Sequence, residues 1–223
     1  MFRRLELLIG DNISKLHKSK VILFGVGGVG GYVAEMLVRS GIGSITIVDY
    51  DKVDISNKNR QIIALNSTIG RVKVDVMKDR LLDINDNCNV TAINSKLTKD
   101  NIEDFGLSSY DYIIDAIDMV SSKIALIKYA KTNNIPIISA MGAGNRVGIP
   151  DVKIADIYST SNDGLAKVLR HELRKLGIDK HNVVYTTNKS NPCGDTIGSI
   201  AYFPAMVGCI LSAFVINEII NKE

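Results

Sequence analysis

The sequence predicts an α/β fold: a Rossmann-like, doubly wound, mainly parallel sheet, extended by later strands and covered by helices on both faces. Three observations carry this. Strand and helix signals alternate along the first two thirds of the 223 residues. A glycine turn, Gly25-Val-Gly-Gly-Val-Gly30, lies between the apolar run Val21-Ile-Leu-Phe24 and a helical pattern. Asp49 closes the next apolar run, Ser44-Ile-Thr-Ile-Val48. Gly25, Gly27, Gly28 and Gly30 let the backbone turn tightly and approach phosphate oxygens, and the helix that follows presents free N–H groups and a positive dipole end. Asp49 stands where a carboxylate accepts both ribose hydroxyls.

The elements follow in order. Strand signals sit at 20–25, 44–49, 89–94, 110–116 and 136–140, with helix signals at 30–40, 71–83 and 121–133. After Gly142 the pattern changes. Residues 151–158 alternate like a strand. Residues 163–176 place Leu165, Val168, Leu169, Leu173 and Leu176 on one helical face, with Asp163 as N-cap and Gly177 as C-cap. Residues 182–186 form another strand, and 187–196, which hold Pro192 and Gly194, read as a polar loop. The apolar stretch 204–220 contains Gly208, Ser212, Asn217 and Glu218. Its clean apolar part is shorter than the roughly 18 residues that span a bilayer, so it reads as a buried helix with Pro204 in its first turn. There are no repeats and no composition break. Residues 1–223 read as one domain, with 1–145 as nucleotide-binding core and 146–223 as an extension that covers the site.

Composition narrows the function classes. Apolar residues make up 46% and charged residues 23%, ordinary for a globular chain, and the net charge is +3, which admits nucleic acid without arguing for it. Cys88, Cys193 and Cys209 are too far apart for a zinc knuckle, no C-x-x-C pair exists, and a disulfide framework is not expected. The first residues lack a signal-peptide core. These features together predict a protein of the reduced cytoplasm without membrane insertion.

Beyond the glycine turn stand residues that a nicotinamide site does not need. Arg60 follows a loop. Lys73 lies in the first turn of a helix, where a cation opposes the dipole, so its presence points to an anion. Arginine would meet phosphates as a fork and lysine as a point charge. Asp115 and Asp118 close the strand signal at 110–116, at the switch point where open sheets bind ligands. A carboxylate there can hold magnesium bridged to phosphates, while a helix cap is the plainer role for Asp115.

As a set, Gly25-x-Gly-Gly-x-Gly30, Asp49-x-Asp51, Asn57-x-x-Arg60-Gln61, Lys73 and Asp118 resemble the ubiquitin-activating-enzyme-like adenylyltransferases, over roughly residues 20–145. The resemblance implies attack of a substrate carboxylate on the α-phosphate of ATP, giving an acyl adenylate and pyrophosphate. It implies Asp49 at the ribose, Asn57, Arg60 and Lys73 at the phosphates, Asp51 and Gln61 among the cofactor-binding residues, and Asp118 on Mg2+. It implies a homodimer in which an N-terminal arginine, taken as Arg4, reaches the partner's site, and a dimer contact made partly by residues 146–223. Arg60, Lys73, Asp118 and Arg4 are thereby the catalytic candidates. Met141-Gly-Ala-Gly-Asn-Arg146, Val152-x-Ile-x-Asp-Ile157 and Asp163-x-Leu-Ala-Lys-x-x-Arg170 are similar to the tRNA threonylcarbamoyladenosine dehydratases. That branch implies adenylation of the threonyl carboxylate on a modified adenosine beside the anticodon, then ring closure within the same side chain. Threonylcarbamoyl-modified tRNA is the implied partner, and a cysteine desulfurase and sulfur-acceptor system is a further partner the branch admits. Gly164 departs from the proline expected after Asp163, at a helix start rather than at the chemistry.

Lys167, Arg170, His171 and Arg174 recur at helical spacing as one basic stripe suited to tRNA phosphates, or to solvent alone. Cys193 lies in the polar loop, where some relatives carry an acyl acceptor; ring closure needs none. Cys209 reads as core. Three rival readings stand beside this one. An activator of a small sulfur-carrier protein shares the first half-reaction but often needs zinc. Tyr185-x-x-x-Lys189 has short-chain dehydrogenase spacing, but it straddles a strand end and a loop. A non-catalytic nucleotide module is the third.

Overall fold

The computed structural model describes residues 1–191, 194 and 196–222. The strands are β1 (Lys20–Phe24), β2 (Ser44–Val48), β3 (Asn89–Ile93), β4 (Tyr112–Asp115), β5 (Ile137–Ala140), β6 (Val152–Asp156) and β7 (Asn182–Thr186). They form one sheet in the order β3-β2-β1-β4-β5-β7-β6. Every pairing is parallel except β6 with β7, where Ile154 opposes Val184 in antiparallel register. The order reverses between β2-β1 and β4-β5, and that reversal opens a crevice at the carboxyl ends of β1 and β4.

The helices are α1 (Arg3–Ile9), α2 (Ile13–Lys18), α3 (Gly30–Arg39), α4 (Lys73–Ile84), α5 (Val120–Thr132), α6 (Gly164–Lys175) and α7 (Tyr202–Ile220). The inner strands are apolar on both sides because both sides are covered. Val21, Leu23, Ile45, Ile47 and Ile114 pack under α3, α4 and α7. Ile22, Phe24 and Ile113 pack under α5 and α6. Adjacent residues of β1 thus feed different cores, as the two-residue period of a strand requires.

Expectation and structure differ in three places. The stretch 151–158 is not one strand: β6 stops at Asp156, whose carboxylate accepts the Tyr158 N–H and starts a 3-10 turn over Ile157–Ser159. Helices α1 and α2 lie outside the helix signals of the sequence: α1 is apolar at four of its seven positions yet buries no residue, and α2 buries only Leu16. α7 is not a fully buried helix. It is 19 residues long and apolar enough to cross a membrane, but 44% of that stretch is buried in the fold, against α3 and the sheet. Tyr202 and Met206 stay exposed on its outer side.

α7 meets α3 closely. A Cβ on Gly208 would lie 2.6 Å from the Val29 carbonyl oxygen and 2.9 Å from Tyr32 Cβ, so only glycine lets the two backbones approach. α6 ends as the sequence predicts. Its Asp163 N-cap accepts the Ala166 N–H, and beyond Leu176 the Gly177 and Ile178 N–H groups return to the Arg174 and Leu173 carbonyls.

Candidate active site

A cavity of about 580 Å3 lies at the carboxyl ends of β1, β2, β4 and β5. Its floor is the glycine turn. Gly25 has φ +89, and a Cβ there would stand 2.6 Å from the Ala116 carbonyl oxygen. A Cβ on Gly30 would collide with the Gly25 carbonyl oxygen at 1.8 Å. Gly27 and Gly28 line the cavity, whereas Gly30 does not; it serves close packing of the turn. Of the glycines expected to bind cofactor, three therefore face the cavity and one supports them.

Four carboxylates stand at this end of the sheet, in four different situations. Asp49 is buried, and its two oxygens accept the Val26 N–H at 2.7 Å and the Asp51 N–H at 2.9 Å. Turn and acid are thus locked together, with the carboxylate at the cavity wall. Asp51 pairs with Lys73 at 2.8 Å. Asp115 is fully buried and pairs with Lys123 at 2.7 Å. Asp118 lines the cavity and makes no side-chain hydrogen bond or ion pair among the described residues. Negative charge collects here: the Tyr50 hydroxyl is held above its ordinary pKa, by burial first and then by the charges of Asp51, Asp118 and Asp49.

Two of the predicted cations, Lys73 and Arg60, line the cavity. Lys73 is the first residue of α4 and is buried, with its Nζ in the cavity wall. The anion that offsets its unfavourable helix position is Asp51 in the free protein. Arg60 lines the cavity and donates to the Ser56 carbonyl at 2.9 Å and Asn59 Oδ1 at 2.8 Å. Gln61 also lines it, and its Oε1 is a buried acceptor with no partner among the described residues. Asn57 does not line the cavity. Its Oδ1 accepts the Asp54 N–H and closes a capping box over Ile55–Asn57, so its place is behind the wall.

The wall across from the glycine turn is built by residues 142–146 and by Asp163. Arg146 is buried and uses all its nitrogens on the protein. It donates to the carbonyls of Gly142, Gly144, Asn162 and Asn188 and pairs with Asp163 at 3.2 Å. Two separated motifs of the sequence, 141–146 and 163–170, are therefore one structural joint. Asn145 holds the later loop: its N–H donates to the Gly198 carbonyl, its Oδ1 accepts the Gly198 N–H, and its carbonyl accepts the Asn191 N–H. Sequence reasoning missed the Lys123–Asp115 pair and took Asp115 as a possible cap. It does accept the Ile117 N–H at 3.1 Å, but its main partner is the lysine.

Other candidates lie elsewhere. Arg4 is exposed on α1, away from this chain's own cavity. Arg170 does not join an exposed stripe; its guanidinium is turned inward to the Thr160 carbonyl and hydroxyl, where two acceptors replace solvent. Tyr185 is buried in β7 and Lys189 lies beyond its end, so the dehydrogenase spacing brings no pair together. Cys209 is half-buried rather than core. Cys193 lies outside the described residues.

Comparison with known proteins adds a chain-wide match. The ThiF family model matches residues 3–223. The chain is 47% identical over 190 residues to a Bacillus subtilis tRNA threonylcarbamoyladenosine dehydratase, covering 85% of this chain and 75% of that protein. It is 40% identical over 170 residues to the Escherichia coli protein of the same name, covering 71% and 63%. The crystal structure of the Escherichia coli dehydratase, TcdA, in complex with ATP superposes with a TM-score of 0.94 at 33% identity, over 99% of this chain and 94% of that one.

Proposed function

The chain belongs to the ThiF family, and from that premise we propose that it is an ATP-dependent tRNA threonylcarbamoyladenosine dehydratase. The observation that supports this best is the convergence of Gly25, Gly27, Gly28, Asp49, Arg60, Lys73 and Asp118 on one cavity, in a chain similar along its length to dehydratases.

The chemistry is a carboxylate made electrophilic. A threonyl carboxylate oxygen attacks the α-phosphorus of ATP and pyrophosphate leaves. A nucleophile within the same side chain then attacks the acyl carbon, AMP departs with the carboxylate oxygen, and a proton is released. The nucleoside has lost one water. In this reading the glycine turn and the start of α3 receive phosphate oxygens. Asp49, already fixed by the Val26 N–H, takes the ribose hydroxyls. Arg60 and Lys73 face the charge that develops on the transferred phosphorus, where preorganised cations act most strongly. Lys73 exchanges Asp51 for phosphate as the ligand enters. Gln61 Oε1 accepts a donor from the bound nucleotide or its waters.

Asp118 would hold Mg2+. It fits: it is a carboxylate that lines the cavity and has no protein partner among the described residues. A lone protein carboxylate plus phosphates and waters is the usual donor set for this ion, which supplies neutralisation of phosphate charge. Arg4 acts in trans within a homodimer, a reading supported by its exposure on a helix whose Leu7 and Leu8 are 83% and 81% exposed.

The test is one reaction with purified protein, magnesium ATP and threonylcarbamoyl-modified tRNA, with nucleosides read by mass spectrometry. ATP-dependent loss of one water from the modified adenosine is the expected result. Pyrophosphate exchange that appears only with a sulfur-carrier protein would overturn it.

A further inference from the structure

We propose that the solvent face of α6 is the docking track for the RNA backbone beside the modified nucleoside. The inference rests on the function proposed above. α6 begins at the cavity: Asp163, Gly164 and Leu165 line it, and Gly164 is exposed at its mouth. From there the helix runs outward for twelve residues, about 18 Å at 1.5 Å per residue. Those residues carry four Lys or Arg against one Glu. The whole chain has an excess of only three positive charges, so this one helix carries a net charge equal to that of the entire protein. All other residues sum to zero.

The face is built as well as charged. Leu169 and Leu173 anchor the inner side in the core. Arg170, which the sequence counts in the stripe, is tied inward to Thr160 and is not available. Lys167, His171 and Arg174 remain exposed at spacings of four and three; Lys175 beside them pairs with Glu172 at 2.8 Å, an exposed pair that holds the ammonium only weakly and leaves it able to turn to a phosphate. Arg174 is held over the Tyr158 ring at 5.0 Å, and Tyr158 in turn donates to the Ile178 carbonyl. One cation of the track is thus fixed in place rather than loose. Lys167 and Arg174 lie seven residues apart, about 10 Å along the axis, roughly the rise of three nucleotides of one strand at about 3.4 Å each. A base inserted into the cavity leaves its flanking phosphates outside, at the start of this row.

The test compares three proteins. One carries Lys167→Gln, Arg174→Gln and Lys175→Gln. A second keeps the Arg174 stack and carries only Lys167→Gln and Lys175→Gln. A third carries Lys18→Gln, Lys99→Gln and Lys128→Gln, equally exposed lysines that do not line the cavity. Affinity for threonylcarbamoyl-modified tRNA is measured from low to high salt, and ATP binding separately. The triple track variant is expected to bind tRNA about tenfold or more weakly and to lower the salt slope by about two, at roughly 0.7 per phosphate contact. The double variant should show about two thirds of that slope change, and all three should bind ATP like the parent. Parent-like tRNA affinity and slope in the track variants, while the parent dehydrates the tRNA, would overturn the track and leave the function standing. Equal weakening by the Lys18, Lys99 and Lys128 variant would overturn it as well. If the parent neither binds nor alters the tRNA, both readings fall.

Discussion

Two lysine–aspartate pairs flank the glycine turn, one beyond β2 and one at the end of β4, and they have opposite roles. Lys73 meets Asp51 at 2.8 Å and Lys123 meets Asp115 at 2.7 Å. Each lysine stands in the first turn of a helix. The distances do not separate them; exposure does. Both members of the Lys123 pair are 0% exposed, and Lys123 also donates to the Ala140 carbonyl. The Asp51 side chain is 46% exposed at the cavity. A sealed pair has no alternative partner, so it fixes β4 against α5. An open pair can exchange its acid for a ligand. The same two residue types therefore serve architecture in one place and chemistry in the other, and solvent access decides which.

The largest effect that would break this comparison is on the sealed side. Lys123→Ala leaves Asp115 buried without its cation and should destabilise the fold by about 3–5 kcal/mol in urea unfolding. Removing both partners, as Asp115→Asn with Lys123→Met, should recover most of the loss. A lysine deletion that costs less than 1 kcal/mol would show that the pair is not sealed.

The next effect belongs to the open side. Lys73→Ala and Asp118→Asn should each lower tRNA-dependent pyrophosphate exchange by about 100- to 1,000-fold, or about 2.7–4 kcal/mol of transition-state stabilisation. Neither should shift the unfolding midpoint appreciably. Loss of fold in Lys73→Ala would place that pair in the same class as the other.

A third buried group sharpens the sealed half. His181 is fully buried, its Nε2 lies 2.8 Å from Ser139 Oγ, and burial, with the charges of Lys131 and Lys123, holds its pKa down at about 3. Its folded value is below the unfolded one, so the neutral ring stabilises the fold fully above about pH 6.5. That contribution is lost as pH falls from there toward about 3, at up to about 1.4 kcal/mol per unit. His181→Gln should flatten this part of the stability–pH curve while leaving ATP affinity at neutral pH unchanged. A curve as steep as the parent's would assign the acid lability to other groups.

The smallest expected effect is that of Asp51→Asn. Asp51 is half-exposed although Lys73 is buried, and water at the cavity can take the place of the lost carboxylate charge, so stability should change by less than about 1 kcal/mol. With its competitor gone, Lys73 should hold ATP no more weakly than before, as read by calorimetric titration.

The parts legible in the sequence are those that repeat over a few residues. The five strands through residue 140, the glycine turn with Asp49 and the caps of α6 all follow from local pattern, because each is defined by neighbours along the chain. What sequence could not supply are partners chosen across space. Arg170 fits a helical stripe by spacing, yet its side chain turns to Thr160 because two oxygens wait there. Asp115 looks like a cap until β4 and α5 bring it to Lys123. Asn57 falls in a phosphate-binding motif while its amide oxygen closes a local capping box. Arg146 and Asp163 sit in separate motifs, and only the packing of α6 shows them to be one joint. α7 is apolar all round, and a pattern without a polar side does not say which side is covered.

The approach of α7 to the glycine turn has a consequence in time. Gly208 lets the helix lie against the Val29 carbonyl, and Pro204 comes within 3.2 Å of where a Cβ on Gly28 would be. The glycine motif is seated by α7, far along the chain from it. During synthesis from the N-terminus, the strands and α3 can assemble while the support for the phosphate turn is still unmade. Contacts of such long sequence separation form slowly. The nucleotide site accordingly becomes rigid only once α7 has been made, and a nascent chain halted before residue 202 would carry the whole glycine motif without the backing that holds it in place.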